Sequence, residues 1–113
     1  MRFVVLVYED EAIWRAADEA GRARYDEGHR AFVQAAQAAG VRVEAGEALA
    51  GVASASTVRH ARGATTVTDG PFAETTEQLG GFYLVDAPDR QTLLDLVALL
   101  PETTHEVREC VEP

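Results

Sequence analysis

The 113-residue sequence has no lysine, and its ten basic residues are all arginine. That excludes Schiff-base chemistry and lysine general bases. Cysteine is almost as scarce. Cys110 stands alone, so no intramolecular disulfide can form and cysteine-rich metal clusters are excluded. No His or basic cluster lies near it in sequence, which argues against a reactive thiol. No apolar run approaches the roughly 20 residues that a membrane helix needs. The first residues do not read as an export segment, so a cytoplasmic protein with no membrane partner is expected. Positive charge is outnumbered, with 19 acidic residues giving a net charge of −9. Such a chain repels phosphate backbones, and nucleic acid is not an expected partner. Nucleotide loops, flavin fingerprints and haem attachment motifs are missing, so no cofactor is expected. Glu74 and Glu77 lack accompanying His spacing, so no metal site is expected.

What remains is ordinary for a soluble domain, at 47% hydrophobic and 26% charged. The length suits one domain over residues 1–113 with its own core. Phe3 to Tyr8 is apolar at both odd and even positions, as is Phe82 to Val85. A half-buried strand would alternate, so both runs predict central strands covered on two faces. Glu9 to Trp14 predicts an acidic connector with a helical turn, and Trp14 a lid over one core edge.

Asp18 can cap a helix running to about Ala39, with Gly40 as its terminator. Tyr25, His29, Phe32 and Ala36 fall on one face of it. Asp26 and Arg30 have the spacing of a weak ion pair. Gly28 beside His29 allows close approach by another group. Val41, Val43 and Ala45 alternate with charge and predict an edge strand. A small, polar stretch follows from Gly46 to Ser56. Thr57–Ala61 and Ala64–Thr68 flank Arg62-Gly63, the pattern of a hairpin. After Gly80–Asp86, Pro88 and Asp89 mark a helix start and Pro101 its stop. Leu93, Leu96, Val97 and Leu100 form its apolar face. Glu106 to Val111 alternates and predicts a second edge strand. His60 and His105 stand alone on predicted strands and receive no role.

This order is α+β: a ferredoxin-like βαβ-βαβ antiparallel sheet with an inserted β-hairpin. In it the first and third main strands lie inside, matching the two apolar runs. Two helices can cover one face of the sheet. Nothing in the chain is left for the other, which predicts a homodimer with sheets face to face.

Between hairpin and third main strand runs Asp69-Gly70-Pro71-Phe72, then Glu74-Thr75-Thr76-Glu77-Gln78-Leu79-Gly80-Gly81-Phe82-Tyr83-Leu84. Asp69 can hold the turn by bonding the backbone, with Gly70 and Pro71 fixing its shape. This stretch resembles the motif of the DGPF proteins, a branch of the YCII-related proteins, with Thr76 where the family often has Lys. The resemblance implies a dimeric α+β barrel. It also implies a His–Asp active site, because YCII-related proteins carry a helix His before an Ala-Gly helix end. His29 has that placement, and Asp69 is the carboxylate paired with it. His29 also reads as a core histidine bonded to a carbonyl or carboxylate, and Asp69 as a turn residue. If the pair is catalytic, the carboxylate orients the imidazole as general acid or base. Asp26 is a weaker candidate partner. Tyr25, Phe72 and Tyr83 are candidate walls for a small organic ligand, or else core and dimer interface. A second reading is a non-catalytic accessory protein, because DGPF-type proteins are often encoded beside extracytoplasmic-function sigma factors.

Overall fold

In a computed structural model describing all residues from Met1 to Pro113, the two doubly apolar runs sit side by side at the centre of one sheet. β1 (Arg2–Glu9) and β5 (Gln78–Asp86) pair antiparallel, with Val5 opposite Tyr83 and Phe3 opposite Val85. β2 (Arg42–Ala48) flanks β5 and β6 (Thr104–Glu109) flanks β1, giving the order β2-β5-β1-β6. This antiparallel sheet is consistent with the expected ferredoxin-like fold. β3 (Ser56–Ala61) and β4 (Ala64–Asp69) form the predicted hairpin as a separate two-stranded sheet. Its turn places Arg62 and Gly63 at φ 54° and 75°, as a tight two-residue hairpin loop requires.

Three helices complete the chain: α1 (Glu11–Ala16), α2 (Glu19–Ala38) and α3 (Arg90–Val97). Each begins at an aspartate whose carboxylate accepts a backbone N–H of the first turn: Asp10 from Ala12, Asp18 from Gly21 and Asp89 from Thr92. These bonds satisfy donors that the helix itself leaves free. Gly40, at φ 76°, ends α2 as expected. Gly28 allows close approach as expected: a Cβ there would stand 3.0 Å from Pro101 Cδ.

The core lies between the helices and one face of the sheet. Phe3, Val5 and Val85 from the strands meet Phe32 and Ala36 of α2 and Leu93, Leu96 and Val97 of α3. The opposite face carries Val4, Leu6 and Tyr8 of β1 beside Leu84, Phe82 and Leu79 of β5. Neither α2 nor α3 covers that face, and its central residues are half-buried rather than buried.

Some local expectations change. Arg30 pairs with Glu27 at 2.5 Å instead of Asp26, because i,i+3 brings that carboxylate within reach on the exposed side. β2 runs on through Ala48 because its edge keeps pairing with β5 as far as Gly81, and a short 3₁₀ turn forms at Val52–Ser54. The Asp69 carboxylate does not hold the Gly70 turn. Gly70 N–H donates to Ala55 O at 2.7 Å, and Thr57 Oγ1 donates to Gly70 O at 2.8 Å. These bonds leave the backbone no need of the Asp69 side chain.

Leu93 is completely buried between α2 and the sheet. Leu93→Ala is expected to cost about 2–5 kcal/mol, read as a lowered urea midpoint with an unchanged slope. A change within error would contradict this placement of the core.

Candidate functional site

Period-two alternation along β1 puts Phe3, Val5, Val7 and Glu9 on the helix-facing side. The first three are buried apolar residues, and Glu9 is a carboxylate at the end of that row. The register of β1 and β5 shifts after Val7, so that Tyr8 lies opposite Leu79 and Gly80 is the extra residue. A Cβ at Gly80 would occupy the space of the Glu9 carboxylate. The bulge and its missing side chain therefore seat Glu9 against the sheet.

Above it, α2 presents Tyr25 and His29 one turn apart, continuing the stripe that Phe32 and Ala36 anchor in the core. Tyr83 rises from β5 on the same side as Val85. Its ring lies across Gly46 of β2, where a Cβ would be only 2.8 Å from Tyr83 Cδ1. Phe32 backs the ring with centroids 5.0 Å apart.

Two short hydrogen bonds join these elements. His29 Nδ1 lies 2.7 Å from Tyr83 Oη, and the Tyr25 hydroxyl donates to Glu9 Oε2 at 2.7 Å. The rings stack in a row, with centroids 5.0 Å apart for Trp14–Tyr25, 4.7 Å for Tyr25–His29 and 5.8 Å for His29–Tyr83. Trp14 thus lies against Tyr25 at the edge of the site and stays exposed, rather than covering the core as expected. A cleft of about 320 Å³ opens beside the row, lined by Glu9, Tyr25, Asp26, His29 and Tyr83 among others. His29 Nε2 is buried and has no hydrogen-bond partner. Such an orphan costs about 1–3 kcal/mol unless something fills it.

Burial lowers the His29 pKa below the ordinary 6.5, against the upward pull of Glu9 and Asp26. Burial raises that of Tyr83. The Tyr25 phenol is raised by burial first, then by its hydrogen bond to Glu9 and that carboxylate's charge. His105, opposite Val7 on β6, is lowered by burial and by the nearness of His29. Its Nε2 lies 2.8 Å from Thr103 Oγ1.

Of the residues singled out in the sequence, the structure brings together His29, Tyr25, Tyr83 and Asp26. Asp69 lies elsewhere, exposed at the end of β4 and without a side-chain hydrogen bond or ion pair. Phe72 is 77% exposed and lines a separate cavity beside the hairpin. Within one copy of the chain, the carboxylates near the His29 ring are Asp26, the weaker candidate from the sequence, and Glu9. The signal of Glu9 was legible as the fourth member of the odd-numbered row, but it looked like the start of an acidic connector. His105 carries no such signal, because an isolated histidine on an edge strand gives no sign of the histidine it approaches. Gln78 of the motif is architectural: its amide donates to Ala73 O and Thr75 O, closing the loop before β5. No three His, Cys, Asp or Glu side chains stand close enough to hold a metal ion.

Both His29 and His105 have folded pKa values below their unfolded value of 6.5. Above 6.5 they are neutral in both states and do not affect stability. As pH falls below 6.5 the unfolded chain takes up protons first, so stability drops until the folded pKa values are passed. The urea midpoint is therefore expected to fall between about pH 7 and pH 5, less steeply in His29→Gln. A midpoint that rises on acidification through this window would contradict the burial of these rings.

A family model for the YCII-related domain matches residues 1–112. A protein of Rhizobium meliloti (strain 1021), itself described as uncharacterised, is 37% identical over 118 aligned positions, spanning 96% of this chain and 90% of the relative. No helix is long and apolar enough to cross a membrane. The match from end to end shows that the chain belongs to the YCII-related family.

Proposed function

We propose that the His29 cleft binds a small organic molecule and that His29 exchanges a proton with it. The observation that carries this reading is the buried, unpartnered Nε2 of a histidine whose Nδ1 is already held by Tyr83. In the tautomer whose Nδ1–H donates to Tyr83 Oη, Nε2 offers a lone pair to the ligand. A pKa below 6.5 keeps the ring neutral and ready to accept a proton at neutral pH. Glu9 then supplies the negative charge expected of Asp69, while Tyr83 holds the ring. Its charge favours the imidazolium formed on proton uptake, while its bond to Tyr25 fixes one wall. The tetrapeptide Asp69-Gly70-Pro71-Phe72 supports placing the chain in the DGPF branch.

A second copy of the chain completes this picture. Val4, Leu6, Phe82 and Leu84 form an apolar strip across the two central strands, on the face without helices. Paired sheets would remove that strip from water and enclose a barrel.

Two outcomes test the proposal. His29→Gln is expected to keep its fold and lose about 10²-fold or more of turnover on any substrate found by screening co-purifying metabolites. Retained turnover in that variant would refute the proton-transfer role. Leu6→Glu is expected to sediment as a single chain where the parent sediments as two. A parent protein that is itself monomeric at micromolar concentration would refute the pairing.

A further inference from the structure

The cleft's charge is one-sided. Glu9, Asp26 and Glu47 line it, and no arginine does. A second cleft of about 350 Å³ shares Glu9 and Tyr25 with the first and adds Asp10, Glu77 and Glu102, again without an arginine. None of these six carboxylates forms an ion pair. The chain's side-chain pairs lie elsewhere, engaging Arg2, Arg15, Arg30, Arg42 and Arg108. The one titratable base in the first cleft is His29, which burial keeps from contributing positive charge. An anionic ligand would meet several negative charges and no counter-charge.

The walls suit the opposite sign. Tyr25 separates the two clefts, and Trp14 lines the second. Aromatic faces attract cations through their quadrupoles, and the protein's own Arg22 guanidinium lies 4.8 Å from the Trp14 ring centroid. The carboxylates do not converge as a metal cage would require, so spread negative charge and aromatic surface select an organic cation over a bare ion. The neutral His29 ring lines the same wall as these aromatic faces. The volume suits a small molecule.

We infer that the His29 cleft takes a small organic cation, a molecule bearing a protonated amine, and rejects carboxylates and phosphates of similar size. This rests on the reading that the cleft is a ligand site, and names the class of ligand. The test is an amide NMR titration of the full chain with three probes of one shape: benzylammonium, benzyl alcohol and benzoate. Benzylammonium is expected to shift cleft resonances around His29 and Tyr83, bind tightest and weaken with added salt. Glu47→Gln and Asp26→Asn, whose carboxylates make no hydrogen bond within the chain, are each expected to weaken it roughly fivefold, the size of one close charge in a water-like dielectric. Benzoate or benzyl alcohol binding the cleft as tightly as the amine would overturn the inference while leaving the cleft as a ligand site. So would an amine affinity unchanged in both variants. Failure of all three probes to perturb the cleft would overturn the inference and count against the ligand site itself.

Discussion

The contact between His29 Nδ1 and Tyr83 Oη is where helix, central strand and cleft depend on one another. It joins α2 to β5 at 2.7 Å across a part-buried space. Three backbone choices make it possible. Gly46 leaves room for the tyrosine ring on the edge strand, Gly80 leaves room for Glu9, and the α2 stripe holds His29 above Phe32. Once Tyr83 occupies one ring nitrogen, the other has no protein partner. A folding requirement alone would be better served by an apolar residue at this position, because an unpaired buried nitrogen is destabilising. On the reading proposed above, a bound ligand would relieve that cost.

The sheet has an asymmetry of the same kind. Its helix-facing side forms the core, while the reverse side presents Leu6, Phe82 and Leu84 with neither α2 nor α3 above them. The two central strands contribute residues to both the cleft and the open face. β1 contributes Glu9 to the cleft and Leu6 to the open face. β5 contributes Tyr83 to the cleft and Phe82 to the open face. Alternation along each strand sends successive residues to opposite faces.

The architecture was legible because its signals are local and repeated. Doubly apolar runs marked β1 and β5, capping aspartates marked α2 and α3, and Arg62-Gly63 marked the hairpin turn. The cleft was legible only in part. Tyr25 and His29 share a helical face by spacing, so any reading of α2 brings them together. Glu9 and Tyr83 meet them through strand pairing and a bulge at Gly80, which depend on register rather than on neighbours in sequence. Asp69 attracted attention because it sits in a recognisable tetrapeptide beside a turn. Its place in a hairpin outside the main sheet separates it from the imidazole within one chain. Motif proximity along the chain was a poor guide to proximity in space.

The protonation state of one ring decides most of this. Long-range ¹H–¹⁵N spectra of the uniformly labelled protein at neutral pH report whether each histidine nitrogen carries a proton. The account predicts that His29 is neutral, with a single tautomer protonated at Nδ1 and a bare Nε2. An imidazolium, or a tautomer mixture like that of a solvent-exposed histidine, would contradict it.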